Sequence, residues 1–264
     1  MTIKKHENLI ELEPHSTLWR YLSYDKFESL LETKSLFFCR ADKFSDPFEG
    51  SIPREEVLYR PEGERLIQRR LNQPIDEREV QNSIKTQEDF HKNYRRYITI
   101  NCWHINTNES DAMWRLYLKD NEGVAIQTST ERMNEVIDKI PENIFLSKIR
   151  YIDYEKEGFF NSETYPHLSK NIYVPFIHKR KEFTHESEFR LLHEIDDDRN
   201  DNYWENQPNP KGIFIRINVE ALIEKIYFHP TVNPEIEEKI KKLVKEKGFN
   251  FEFCKSRLSE EPSF

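Results

Sequence analysis

The run Glu186–Ile195 constrains the chain more than any other segment, because its side chains alternate in character. Phe189, Leu191 and Ile195 fall on one side, and Glu186, Glu188 and Arg190 on the other. A period of two predicts a strand, since successive residues of a strand point to opposite faces. One face then suits a hydrophobic core. The other sets two carboxylates and a guanidinium side by side, a cluster that must either be ion-paired or line a polar cleft.

The rest of the chain supplies partners for such a strand. Thr17–Leu22 reads as a strand, Ser23 as the N-cap of a helix with Phe27, Leu30 and Leu31 on one face, and Ser35–Arg40 as a second strand. Asp42–Gly50 reads as a turn-rich loop, because Asp46-Pro47 breaks regular structure and Gly50 permits a positive φ. From Arg54 to Tyr97 the sequence is charged and helical, with Pro61, Gly63 and Pro74 as expected breakers, so residues 54–96 are read as a helical insertion. Tyr97–His104, Gly123–Thr128, Arg150–Tyr154, Gly212–Val219 and Ile226–His229 read as further strands. Ser110 is a predicted N-cap for a helix through Leu118, and Pro234–Lys247 an amphipathic helix ending at Gly248, before a closing strand at Asn250–Cys254. The expected fold is α+β: a mixed, mostly antiparallel sheet with flanking helices, in one domain over residues 17–264 after a polar leader at 1–16.

Composition narrows the function. The chain of 264 residues carries a net charge of -8, so net charge does not indicate nucleic acid as a partner. Two basic groups, Arg65, Arg69 and Arg70 and then Lys92, Arg95 and Arg96, are expected to be solvated helix faces. Although 33% of residues are charged, 18 Phe, 12 Tyr and 4 Trp provide a large aromatic core. The three cysteines, Cys39, Cys102 and Cys254, are widely spaced and form neither a disulfide framework nor a zinc motif. With no apolar run of membrane-spanning length, a cytoplasmic protein with no membrane partner is expected.

Several chemistries are disfavoured by spacing. Six scattered glycines write neither a P-loop nor a dinucleotide fingerprint. His185-Glu186 is not followed by the second His of a zinc protease, and His178, His185 and His193 have no metal-ligand spacing, so no metal is predicted. Cys102 and His104, two apart on one strand, make a poor nucleophile and base.

Three blocks resemble the bacterial domain-of-unknown-function family numbered 2971. They are Leu18-Trp19-Arg20-Tyr21 with Phe44-Ser45-Asp46-Pro47-Phe48-Glu49; Asn101-Cys102-Trp103 with Met113-Trp114, Tyr117 and Glu122-Gly123-Val124; and Lys179 with Glu186-Ser187-Glu188-Phe189-Arg190. The chain departs from the family pattern at Ser45 and Arg115. A second resemblance, to ADP-ribosyltransferase-like domains, rests on the order of an early strand with Arg20, a central strand at Asn101–Trp103 and a late Glu-x-Glu.

That second resemblance implies NAD as substrate, a toxin or anti-phage defence setting, and Glu188 and Glu186 as the catalytic pair. It also implies ligand contacts from Arg20, Trp103, Tyr117, Lys179 and Arg190, with a small-molecule nucleotide as partner and the macromolecular acceptor unassigned. Two alternatives stand beside it. One is a non-catalytic nucleotide- or partner-sensing module using Arg20, Lys179 and Arg190. The other is a metal-dependent nucleic-acid hydrolase using Asp46, Glu49, Glu186 and Glu188. For Glu188 and Arg190, a purely structural ion-pair network competes with any of these, and for Asp46 and Glu49 a turn-forming role does.

Overall fold

The computed structural model describes residues 11–118, 120–159, 172–195, 204–206 and 210–263, so most of the predicted leader lies outside the described residues. The chain opens with β1 (Thr17–Ser23), α1 (Tyr24–Thr33) and β2 (Ser35–Arg40), close to the predicted order. The insertion follows as α2 (Arg54–Arg70) and α3 (Glu77–Tyr94). Then come β3 (Ile98–Ile105), α4 (Asp111–Tyr117), β4 (Gly123–Ser129), α5 (Thr130–Ile137), β5 (Ile144–Lys148) and β6 (Arg150–Ile152). β7 (His178–Arg180), β8 (Glu188–Glu194), β9 (Gly212–Arg216), α6 (Val219–Leu222), β10 (Lys225–Phe228), α7 (Pro234–Glu246) and β11 (Glu252–Cys254) complete it. The fold is α+β, with a largely antiparallel mixed sheet.

Local chemistry accounts for most boundaries. The Ser110 and Asn233 side chains accept from the backbone N–H of Met113 and Ile236, capping α4 and α7. Gly248 ends α7 at φ 80, and Gly50 turns at φ 69 where a Cβ would lie 2.4 Å from the Phe176 ring. Pro61 and Gly63 do not break the insertion. Both lie inside α2, which is held along α3 by the buried Gln68 accepting from the Asp76 N–H, with an exposed Arg65–Glu77 pair beside it. Tertiary contact here outweighs local propensity. Arg65 and Arg69 pair with Glu62 at the surface, as expected of solvated faces.

The main sheet runs β11-β10-β4-β1-β3-β2-β9, with β8 on the other edge of β3 and β5 beyond it. Pairing is antiparallel except between β10 and β11, and β6 and β7 form a separate parallel pair. The principal core packs α1, α5, α6 and α7 against this sheet through Phe27, Leu31, Met133, Leu222 and Ile240. Among the described residues no helix is long and apolar enough to cross a membrane.

One feature of the register creates the site. β8 pairs with β3 along Ile98–His104. On the opposite edge, β1 pairs only with Ile105 and His104, and β2 only with Ile100 and Thr99. The sheet therefore splits between β1 and β2, and residues 101–103 of β3 lie at the fork. Asn101 bridges the gap: its Nδ2 donates to the Phe37 carbonyl at 2.9 Å, and its Oδ1 accepts from Trp103 Nε1 at 2.8 Å. A buried side chain thus replaces the missing ladder bonds.

Candidate functional site

A cavity of about 530 Å³ occupies the fork. β1 contributes Arg20 and Tyr21, β2 contributes Phe37 and Cys39, β3 contributes Cys102, Trp103 and His104, and α4 contributes Tyr117. Glu186 and Glu188 close the far wall.

The carboxyl wall is built from ion pairs. Glu188 accepts from Lys179 Nζ at 2.6 Å through one oxygen and from Arg190 Nε at 2.6 Å through the other. Arg190 is fully buried and gives its remaining donors to Glu49 at 2.6 and 2.8 Å and to the Phe176 carbonyl at 2.8 Å. Lys179 also pairs with Glu186, and the Glu186 and Glu188 carboxyls hydrogen-bond each other. Burial works to raise Glu188, but Arg190, the Glu186 hydrogen bond and Lys179 outweigh it and hold the carboxyl well below the usual range. Burial, together with the Glu188 carboxylate, pushes Glu186 up to about 8 despite Lys179. The two carboxyls are thus driven apart, Glu188 toward the ionised form and Glu186 toward the protonated one.

Arg20 presents the opposite situation. Its guanidinium lies 5.7 Å from the Trp103 ring centroid, and its NH1 atom is buried with no hydrogen-bond partner among the described residues. Burial lowers its pKa to about 10, so it stays charged at neutral pH. Trp103 is buried to 2% exposure with its N–H spent on Asn101, and forms both core and cavity wall. Tyr117 stacks on Tyr21 with ring centroids 6.5 Å apart and is 43% exposed, while desolvation of its hydroxyl inside the cavity, followed by nearby Cys102 and Glu188, raises its pKa. Burial also pushes the Cys102 thiol up, which disfavours a thiolate nucleophile.

The structure revises several expectations. Glu186 is not part of the strand: it ends a 3-10 turn over Lys181–Glu186, and Ser187 at φ 40 interrupts the alternation before β8 begins. The turn nevertheless brings Glu186 to Glu188. Arg190 does not line the cavity, because Glu49, Glu188 and a backbone carbonyl enclose it; Lys179 stands behind the carboxyls it pairs with. Asp46 accepts from Arg180 at 2.8 Å and from the Phe48 N–H at 3.1 Å, so it and Glu49 tie the loop to the strands. The four carboxylates of the metal-hydrolase reading are thus engaged by cations, and among the described residues no group of three His, Cys, Asp or Glu side chains has metal-binding geometry.

Sequence reasoning missed Tyr21, Phe37 and Phe214 as cavity residues and weighed His104 only as a partner for Cys102. Alternation along β2 and β3 places Phe37 and His104 on predicted strands, but nothing in it shows that the sheet forks there.

Fold and site together define an α+β protein with a split sheet and a cleft lined by an unpaired cation and two neighbouring carboxyls. The model of the family described as "Protein of unknown function (DUF2971)" matches residues 113–191. That stretch carries Met113-Trp114, Tyr117, Lys179 and Glu186 through Arg190, and the resemblance read from these blocks is borne out there. The solved structure of Thermus sp. 2.9 DarT in complex with carba-NAD+ is similar at 10% identity and a TM-score of 0.36, covering 94% of this chain and 98% of that one. No curated protein matches the sequence.

Proposed function

We propose that the chain is an NAD-dependent ADP-ribosyltransferase-like enzyme whose dinucleotide lies in the fork between β1 and β2. The observation that carries this reading is Arg20, half-buried with no anion on its guanidinium and its NH1 atom buried and unpaired, lining the same cavity as the Glu188 carboxylate. A buried cation without a partner is costly, and a pyrophosphate would supply the missing charge. The cavity volume suits a ligand of this size class.

In this arrangement the glycosidic C–N bond breaks and its electron pair leaves with nicotinamide. Positive charge then develops on the ribosyl ring, where Glu188, kept ionised by Arg190 and Lys179, stabilises it. The developing positive charge pulls down the pKa of Glu186, which releases its own proton to solvent and, as a carboxylate, takes the proton of the incoming nucleophile as the new bond to the ribosyl carbon forms. Tyr117 and Trp103 provide aromatic surface for a planar ring. A toxin or anti-phage defence setting belongs to the same proposal and rests on the resemblance alone, and a cytoplasmic location is proposed with it from the absence of a signal-like or membrane-spanning apolar run in the sequence.

One observation favours a second reading. Both Glu188 oxygens are already engaged, as suits a module that binds a nucleotide without turning it over. Nicotinamide release from NAD by wild type and Glu188→Gln, with thermal melting as the folding control, separates the two. Release by wild type alone at equal melting is expected of the enzyme. An NAD-induced rise in melting without release would instead establish the binding module, and neither effect would overturn both readings.

A further inference from the structure

His104 is 8% exposed and lines the cavity from β3. Its Nδ1 lies 2.7 Å from the Glu186 carbonyl oxygen, which can only accept, so Nδ1 carries the hydrogen. Burial keeps the ring below its ordinary pKa, so at neutral pH it holds a single hydrogen and Nε2 has a bare lone pair. That Nε2 is buried and has no partner among the described residues.

An unmatched buried acceptor costs about 1–3 kcal/mol, and Arg20, whose NH1 is an unmatched buried donor, lines the same cavity. Two such groups of opposite hydrogen-bonding sense describe a ligand with an anionic part for one and an uncharged donor for the other. The backbone carbonyl that fixes the His104 tautomer belongs to Glu186, so the acceptor is built into the carboxyl wall itself.

We infer that His104 Nε2 accepts a hydrogen bond from an uncharged N–H or O–H of the ligand whose anionic group rests on Arg20. This rests on the NAD reading, in which the donor is the carboxamide N–H, a ribose hydroxyl or the adenine amino group. His104 then reads the ligand directly, and a ligand lacking the donor leaves Nε2 unpaired and binds less tightly.

The test uses the full chain with 15N-labelled histidine, with His104 assigned among the 9 histidines by the signal lost in His104→Gln. The free protein should show the Nδ1–H tautomer at His104, and NAD should shift the Nε2 resonance toward that of a hydrogen-bonded acceptor. Nicotinic acid adenine dinucleotide, which lacks the carboxamide N–H, identifies the source: an unmoved Nε2 assigns the carboxamide, and an equal shift assigns a ribose hydroxyl or the adenine amino group, which nicotinamide hypoxanthine dinucleotide, lacking that amino group, separates. His104→Leu should weaken NAD binding about tenfold and His104→Gln, which keeps an acceptor, should recover part of it. NAD binding with an unmoved Nε2, or an Nε2–H tautomer in the free protein, would overturn this inference and leave the NAD reading intact. No NAD binding by calorimetry would overturn both.

Discussion

Arg190 and Arg20 flank the same cleft and are held in opposite ways. Arg190 has no exposure and donates to Glu49, Glu188 and the Phe176 carbonyl, so its charge is compensated by residues from the 41–53 loop, β8 and the segment before β7. Arg20 is buried at NH1 and has an aromatic face nearby but no anion. The first arginine is consumed by the fold, and the second is left for something the chain does not contain. Residue type alone would not separate them.

The largest effect expected from this contrast is at Arg190. Arg190→Met strands Glu49 as a buried, unpaired carboxylate and leaves Glu188 with Lys179 alone, and urea denaturation should show a loss of about 3–5 kcal/mol. If Arg190→Met melts like wild type, the network is not structural and the contrast fails. Asn101→Ala should come next, losing about 2 kcal/mol in the same measurement, because the Phe37 carbonyl and the Trp103 N–H lose their partner at the fork.

Arg20→Met should do the reverse of Arg190→Met. Stability should hold or rise, since an unpaired cation leaves the interior, while affinity for a pyrophosphate ligand falls at least tenfold in calorimetry. A sharp fall in stability would mean that Arg20 is paired like Arg190.

A pH series sharpens the comparison at the carboxyl wall. Glu186 titrates at about 8 in the folded chain against an ordinary 4.5, so between those values the folded state holds more protons than the unfolded one. Its contribution therefore weakens as pH rises from about 5 to 8, by at most about 1.4 kcal/mol per pH unit. Denaturation midpoints of Glu186→Gln should lack that decline, and identical pH profiles for wild type and variant would refute it. The smallest effect belongs to the insertion, where removing the exposed Arg65–Glu77 pair by Arg65→Ala should leave melting unchanged.

Much of the fold was legible because its signals are local. β1, α1, β2, α4 and α7 follow from alternation, apolar spacing and capping residues such as Ser110 and Asn233, each of which acts within a few positions of the chain. Pro61 and Gly63 misled because α3, arriving later in sequence, holds α2 together. At the site, sequence put Glu188 and Arg190 on one strand face, and the structure agrees. It could not show that Glu186 leaves the strand at Ser187, nor that Glu49 crosses 141 positions to reach Arg190.

By itself, then, the sequence determined the elements with strong local signals, the α+β class and the inventory of charged groups, but not α5, β5, β7 or α6, because hydrogen-bonding period and capping are legible only where neighbours along the chain set them. Only the tertiary structure decided where the sheet divides, which arginine is spent and which is free, and which glutamate holds a proton. Those outcomes depend on burial and on charges brought together from distant segments, and neither is a property of any short stretch of residues.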